Sequence, residues 1–263
     1  MINLNLAGKT AIVCGSSQGI GKATAMELAS LGANIILIAR NLSVLELVKE
    51  QLPTDEGQVH YALSADFDHP DDLKQKINQF LEKIHAVHIL VNNTGGPNPG
   101  PASEANEDEF RIAFNRHLIC NQIMVQAVLP KMKAGGYGRI INVISTSVKQ
   151  PIPNLGVSNT VRGAVANWSK TLSLELAKFG ITVNNVLPGS TSTARLEGII
   201  NSNAEKKHLS TEDIEANMKK EVPAGRFAAP EEIAYAIAFL ASPAASYING
   251  INLPVDGGRT ASL

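Results

Sequence analysis

Hydrophobic positions along this chain fall into two alternating rhythms. Short apolar runs at Thr10–Cys14, Asn34–Ala39, Val59–Leu63, Val87–Val91, Arg139–Ile144, Ile181–Leu187 and Ile251–Val255 have the length of buried strands. Between them, apolar residues recur at helical spacing over Ile20–Leu31, Leu42–Leu52, Pro70 to about Ile84, Asn106 to about Lys133, Val157–Lys178 and Pro230–Leu240. Boundary chemistry agrees. Pro70 and Pro230 suit first helical positions, Asp71 and Asp72 suit a first turn, and Asn106 with Glu109 has the pattern of a capping box. Gly32 and Gly180 suit helix ends.

Strand and helix alternate throughout, and parallel neighbours need crossover connections. The pattern therefore predicts one α/β domain over 1–263, a single doubly wound parallel sheet of about seven strands with helices on both faces. The polar stretch 190–221 reads as a mobile substrate-loop insert, with Ser210 and Asp213 marking a helix start. In such sheets ligands bind beyond the carboxyl ends of the strands, at the topological switch point. The unusual stretches gather there: Gly15–Gly21, Arg40, Asp66, Asn93–Gly95, Ser145 and Pro188–Gly189.

The first of these carries the clearest chemistry. In AIVCGSSQGIGKATAMELASL an apolar strand passes through Gly15, Gly19 and Gly21 into an amphipathic helix. Helix N-termini offer unpaired N–H groups and a positive dipole end, which suit a diphosphate. Glycines allow the backbone to come close to it. Composition narrows the partners. A formal net charge of −1 argues against nucleic acid. No apolar run reaches the ~18 residues of a membrane span, and the N-terminus lacks the pattern of a signal peptide. Cys14 and Cys120 lie in apolar segments, as buried thiols of a reducing compartment, so a cytoplasmic location is expected. None of His60, His69, His85, His88 and His208 has metal-ligand spacing, and no metal is expected.

Together these motifs resemble the short-chain dehydrogenase/reductase family over essentially the whole chain. Cys14-Gly15 through Gly19-Ile20-Gly21 looks like its cofactor turn, Asp66 like its adenine-contacting acid, and Asn92-Asn93-Thr94-Gly95 like its Asn-Asn-Ala-Gly signature. Pro188-Gly189 with Thr193 resembles the loop that holds the nicotinamide carboxamide, and Pro254-x-Asp256-Gly257-Gly258 its C-terminal motif. The resemblance is greatest to 3-oxoacyl-carrier-protein reductases. It implies a Rossmann-type fold, a homodimer or homotetramer, and a cofactor held by Gly15, Ser17, Gln18, Gly19, Ile20, Gly21, Arg40, Asp66, Phe67, Asn93, Thr94, Gly95, Arg162, Pro188, Gly189, Thr191 and Thr193. Helices 106–133 and 157–178 would form one interface and Ile251–Val255 a second. An acid at the end of strand 2 would favour NAD; Ala39 and Arg40 stand there instead, so NADP(H) is favoured over NAD(H). Gln18 stands where many NADP-preferring relatives carry a basic residue.

The catalytic set departs from the pattern. Family members use Asn, Ser, Tyr and Lys, the last two four residues apart on one helix. Here the serine is Ser145, but Ser158 holds the tyrosine position, Arg162 the lysine position and His117 the asparagine position. Serine is a far weaker acid than tyrosine, and arginine cannot relay a proton. Ser145 is read as a carbonyl donor or a strand-end cap. Ser158 is a proton donor or a hydrogen-bonding, space-making residue. Arg162 is a cofactor or substrate ligand, or a structural arginine. His117 is an acid/base group or a packing histidine bonded to a backbone carbonyl. Lys149 is close enough in sequence to reach the cleft mouth. Two functions fit: an NADP-dependent oxidoreductase acting on a small-molecule carbonyl substrate with an altered catalytic set, or an NADP(H)-binding sensor or subunit without ketoreductase activity.

Overall fold

A computed structural model describes residues 2–262. Strands β1 (Thr10–Cys14), β2 (Asn34–Ala39), β3 (Tyr61–Ser64), β4 (Ile89–Asn92), β5 (Gly138–Val143), β6 (Ile181–Pro188) and β7 (Asn252–Val255) form one sheet. Its order is β3-β2-β1-β4-β5-β6-β7, with every pair parallel. The order reverses between β1 and β4, which sets the ligand crevice beyond their carboxyl ends.

Helices α1 (Gly19–Ser30), α2 (Leu42–Glu50), α3 (Pro70–Leu81), α4 (Glu107–Phe114), α5 (Cys120–Gly135), α6 (Gly156–Leu176), α7 (Ala194–Lys207), α8 (Thr211–Lys220) and α9 (Pro230–Ala241) fill the connections. Alternate strand residues serve opposite faces. Ala11, Val13, Ile35 and Leu37 pack with Leu28 of α1, Leu45 of α2 and Ile237 of α9. Ile12, Cys14, Ile36 and Ile38 pack with Leu73 and Ile77 of α3 and Met124 and Val128 of α5. Both faces are buried, which is why the strands read as continuous apolar runs. Both cysteines are buried and free.

Three elements differ from the sequence pattern. The third strand begins at Tyr61, not Val59. Before it, the Val59 amide donates to Asn34 Oδ1 (2.6 Å) and the Ile35 amide to His60 Nδ1 (3.1 Å), so side chains replace ladder pairing there. The long helix from Asn106 is not continuous. A π-helical turn, Asn115–Ile119, separates α4 from α5 and carries His117. Such turns widen a helix locally and are frequent at functional sites. The polar stretch 190–221 holds two helices, α7 and α8. Leu196, Ile200 and Ala204 recur every fourth residue and bury against Ile214, a sparse stripe hidden among charged residues.

A row of asparagines crosses strands β4 to β7. Asn92, Asn142, Asn185 and Asn252 are register partners on β4, β5, β6 and β7. Asn92 Nδ2 donates to Asn142 Oδ1 (2.9 Å), Asn142 Nδ2 to Asn185 Oδ1 (3.0 Å), and Asn185 Nδ2 to Asn252 Oδ1 (2.7 Å). A one-residue slip would break every link and bury the amides unpaired. Replacing the fully buried Asn142 with Leu strands partners on both sides. The expected loss is about 2–5 kcal/mol, read as a Tm drop of roughly 5–15 °C. A drop under about 2 °C would show that the row carries little of the stability.

Candidate active site

Where β1 ends, the chain turns through Gly15 (φ +61°) and Gly19 (φ +56°), backbone states that favour glycine. A Cβ on Gly21 would stand 2.1 Å from the Gly15 oxygen, and one on Gly15 2.7 Å from the Asn93 oxygen. Asn93 Nδ2 donates to the carbonyls of Cys14 (3.3 Å) and Gly15 (3.4 Å). The turn is thus pinned to the loop after β4. Gln18, at the N-cap of α1, is extended and gives no side-chain cap, so the leading amides of the helix stay open to an anion. Ser17 is half-buried, while Ile20 packs towards the core. Ser16 is absent from the sequence reading. Its buried Oγ accepts from the Ile38 amide (3.0 Å), tying the turn to β2. Its type and position look like ordinary turn chemistry, so sequence gives no signal for it.

Arg40 stands exposed just beyond β2, and its carbonyl accepts from the Ser64 hydroxyl (2.8 Å). Asp66 Oδ1 accepts from the Asp68 amide (3.0 Å). The Phe67 ring lies in the core and its carbonyl accepts from Cys120 Sγ (3.3 Å). Only the Phe67 backbone is therefore placed to meet a ligand. On the far side, Pro188 ends β6, and a Cβ on Gly189 would stand 2.7 Å from Asp256 Cα. Thr191 Oγ1 donates to the Gly189 carbonyl (3.1 Å), and Thr193 caps α7. The Thr193 methyl lies 3.2 Å from the position of a Cβ on Gly19. The glycine turn, the Asn93-Thr94-Gly95 loop and the 188–193 loop therefore meet around one crevice.

Helix α6 carries Ser158, Arg162 and Ser169, all buried, and Arg162 reaches the loop at Gly96 beside that crevice. Arg162 Nη1 donates to the Val143 carbonyl (3.1 Å), and Asn142 Nδ2 donates to Ser169 Oγ (3.2 Å). These bonds dock two turns of α6 onto the end of β5. Ser145 Oγ accepts from the Ser147 amide (3.1 Å), which leaves its own hydrogen free to donate. Lys149 is half-buried on the short turn that follows.

The charge balance is one-sided. Arg162 Nε is buried and has no partner among the described residues. Burial, with Arg195 nearby, lowers the Arg162 pKa to about 10. Arg195 sits at the start of α7, where its Nη1 and Nη2 donate to the carbonyls of Gly96 (3.0 Å) and Pro97 (3.1 Å). Sequence reading missed Arg195, because nothing local separates it from the other charges of that stretch. Arg116 pairs with Asp68. His117 is 1% exposed, its Nε2 has no partner among the described residues, and burial plus Arg162, Arg116 and Arg195 push its pKa down to about 2. It is a neutral imidazole at physiological pH. The acid/base role expected from an unperturbed histidine does not fit that setting; a single N–H donor does.

Comparison with known proteins agrees with the geometry. The family model for enoyl-(acyl carrier protein) reductase matches residues 15–260. A 3-oxoacyl-[acyl-carrier-protein] reductase of Vibrio cholerae is 35% identical, covering 97% of this chain and 98% of that one. YwfH, an NADPH-dependent reductase involved in bacilysin biosynthesis, superposes with a TM-score of 0.91 at 30% identity, covering 97% of this chain and 99% of that one. L-Sorbose reductase of Gluconobacter frateurii, solved with NADPH and L-sorbose, gives a TM-score of 0.93 at 29% identity, covering 99% and 100%. The chain belongs to the short-chain dehydrogenase/reductases, in their enoyl-(acyl carrier protein) reductase-like branch. Its relatives are oxidoreductases.

The burial of His117 has a consequence for stability. In the unfolded chain it binds a proton below about pH 6.5, but in the folded chain only near pH 2. Its contribution is complete above pH 6.5 and is lost as acid favours the unfolded chain. Between pH 7 and 4.5 the unliganded wild type should lose roughly 2 kcal/mol more than a His117→Gln variant, measured by denaturant unfolding. Equal losses would place a charged or solvated histidine at this position.

Proposed function

We propose that this protein is an NADPH-linked carbonyl reductase, acting on a 3-oxoacyl compound or related ketone, with an altered catalytic set. One observation carries the reading: the glycine turn is pinned to Asn93, and the loop that follows Asn93 reaches the buried Arg162 at Gly96, one helical turn from Ser158 on α6. Loss of a reductase function would leave no reason to keep polar groups at both replaced positions. The side chains missing at Gly15, Gly19 and Gly21 let the turn close on Asn93 and Thr193, and the uncapped amides at the start of α1 would hold a dinucleotide diphosphate, with Asp66, Asn93–Gly95, Pro188, Gly189, Thr191 and Thr193 bordering the rest.

A nicotinamide cofactor, when bound, supplies the hydride. The chain's own residues orient the carbonyl and stabilise its oxygen. Ser145 donates through its free hydrogen, and Ser158, with no hydrogen bond to another described residue, supplies a second hydroxyl at the tyrosine position. The positive field of Arg162 lowers the energy of charge growing on that oxygen. Neither Ser158 nor neutral His117 is a proton source near pH 7, so the proton comes from solvent. Exposed Ile112, Phe114 and Ile119 around the π-turn, with Leu174 on α6, support assembly through these helices as a homodimer or homotetramer.

Arg40 supports NADP(H): it is exposed at the edge of the crevice with no acid beside it on β2. Fluorescence titration should show NADPH bound at least about tenfold more tightly than NADH, a charge-assisted contact being worth about 1.5–3 kcal/mol. Arg40→Ala should remove that preference and leave NADH affinity within about twofold. An unchanged NADPH affinity would overturn the assignment. NADPH oxidation against a panel of ketones, acyl thioesters and quinones then tests the reaction. Tight binding without turnover on any of them would favour a non-catalytic nucleotide-binding protein.

A further inference from the structure

Arg162 and Arg195 form a pair of guanidinium groups with no counter-ion. Among the described residues no carboxylate pairs with either, whereas neighbouring Arg116 has Asp68. The two come from opposite walls of the crevice, α6 and the start of α7, and converge on Gly96. A Cβ placed there would stand 2.8 Å from Arg195 Nη2 and 3.5 Å from Arg162 Nη2. Arg162 Nη1 is committed to the Val143 carbonyl, so its Nε–Nη2 edge is left for a partner. That edge is a bidentate receptor for a carboxylate or phosphate. Isolating a guanidinium from water without a counter-ion is costly, and an arriving anion relieves that cost.

The phosphates of the dinucleotide do not account for the pair. Its diphosphate belongs at the glycine turn, where Thr193 is the neighbour of Gly19. A 2′-phosphate belongs at Arg40, on the far side of β2. Ser145, which faces the carbonyl in the proposed reaction, is two extended residues beyond Val143, or about 7 Å along the chain. Anion and carbonyl therefore fall within the span of one small molecule.

We propose that Arg195 and Arg162 together bind an anionic group on the substrate, so that the protein selects short keto acids over neutral ketones. This rests on the carbonyl-reductase reading above. Arg195 does a second job in the same geometry: its bonds to Gly96 and Pro97 close α7 over the crevice, so the substrate anion would meet an already positioned guanidinium.

The test compares 2-oxo and 3-oxo acids with their methyl esters, in wild type, Arg195→Gln and Arg195→Lys. Three readouts are used: kcat/KM with NADPH, NADPH affinity by fluorescence, and equilibrium binding of the acids to the NADP⁺ complex by calorimetry. Wild type should prefer acid over ester by about 10–100-fold, the range of a charge-assisted bond. Arg195→Gln should remove most of that preference through KM, keep ester turnover, and leave NADPH affinity within about twofold. Arg195→Lys should retain part of the preference. If acid and ester fall equally in Arg195→Gln, Arg195 only latches the loop and the proposal fails. It also fails if NADPH affinity falls instead, or if wild type does not prefer acids. Should no compound turn over, acid binding that is lost in Arg195→Gln would uphold the anion site while refuting the reductase reading. No acid binding at all would overturn both.

Discussion

The register of strands β4 to β7 is the constraint on which the crevice depends. Asn92, Asn142, Asn185 and Asn252 hold β4 to β7 in one register. Asn142 also donates to Ser169, and the next residue, Val143, accepts from Arg162. One end of β5 thus fixes both the sheet register and the seating of α6. Ser145 follows two residues later, already extended and capping the next turn. A polar row in an otherwise apolar sheet contributes less stability than the same area of packed aliphatics, but it admits only one alignment.

From that alignment the two halves of the site acquire different characters. The cofactor half is built from absences: glycines whose missing side chains let the turn press on Asn93 and Thr193. The reacting half is built from charge. Burial, with Arg162, Arg116 and Arg195 nearby, keeps His117 neutral, and the buried Arg162, without a carboxylate partner among the described residues, would stabilise negative charge on a substrate. On the proposed reading, the same residues that make tyrosine-style proton donation unavailable would make the crevice receptive to anions. Replacement of Tyr and Lys by Ser and Arg is, on that same reading, a change of electrostatics rather than a simple loss.

Much of this was legible in sequence because it rests on local rules. Continuous apolar runs marked parallel strands, prolines and the Asn106–Glu109 pair marked helix starts, and the glycines marked the turn from β1 into α1. The motifs at Asp66, Asn93 and Pro188 located the strand ends. What stayed hidden depends on neighbours far along the chain. The π-turn at Asn115–Ile119 has no periodicity signature in a helix of mixed character. Helix α7 buries a thin stripe, Leu196, Ile200 and Ala204, beneath charges that make the segment look like a loop. Arg195 acquires its meaning only when α7 folds back over Gly96. The shift of His117 comes first from its burial and then from three arginines that lie 1, 45 and 78 residues away in sequence.

The central claim is that the crevice reduces a carbonyl without a protein group that titrates near neutrality. The pH dependence of kcat/KM for NADPH-linked reduction tests it most directly. With the proton supplied by solvent and charge held by the arginines, the profile should be flat to within about threefold from pH 6 to pH 9, because His117 ionises only near pH 2. A sigmoid with an apparent pKa near 7 that disappears in His117→Asn would contradict it, and would make His117 the proton donor.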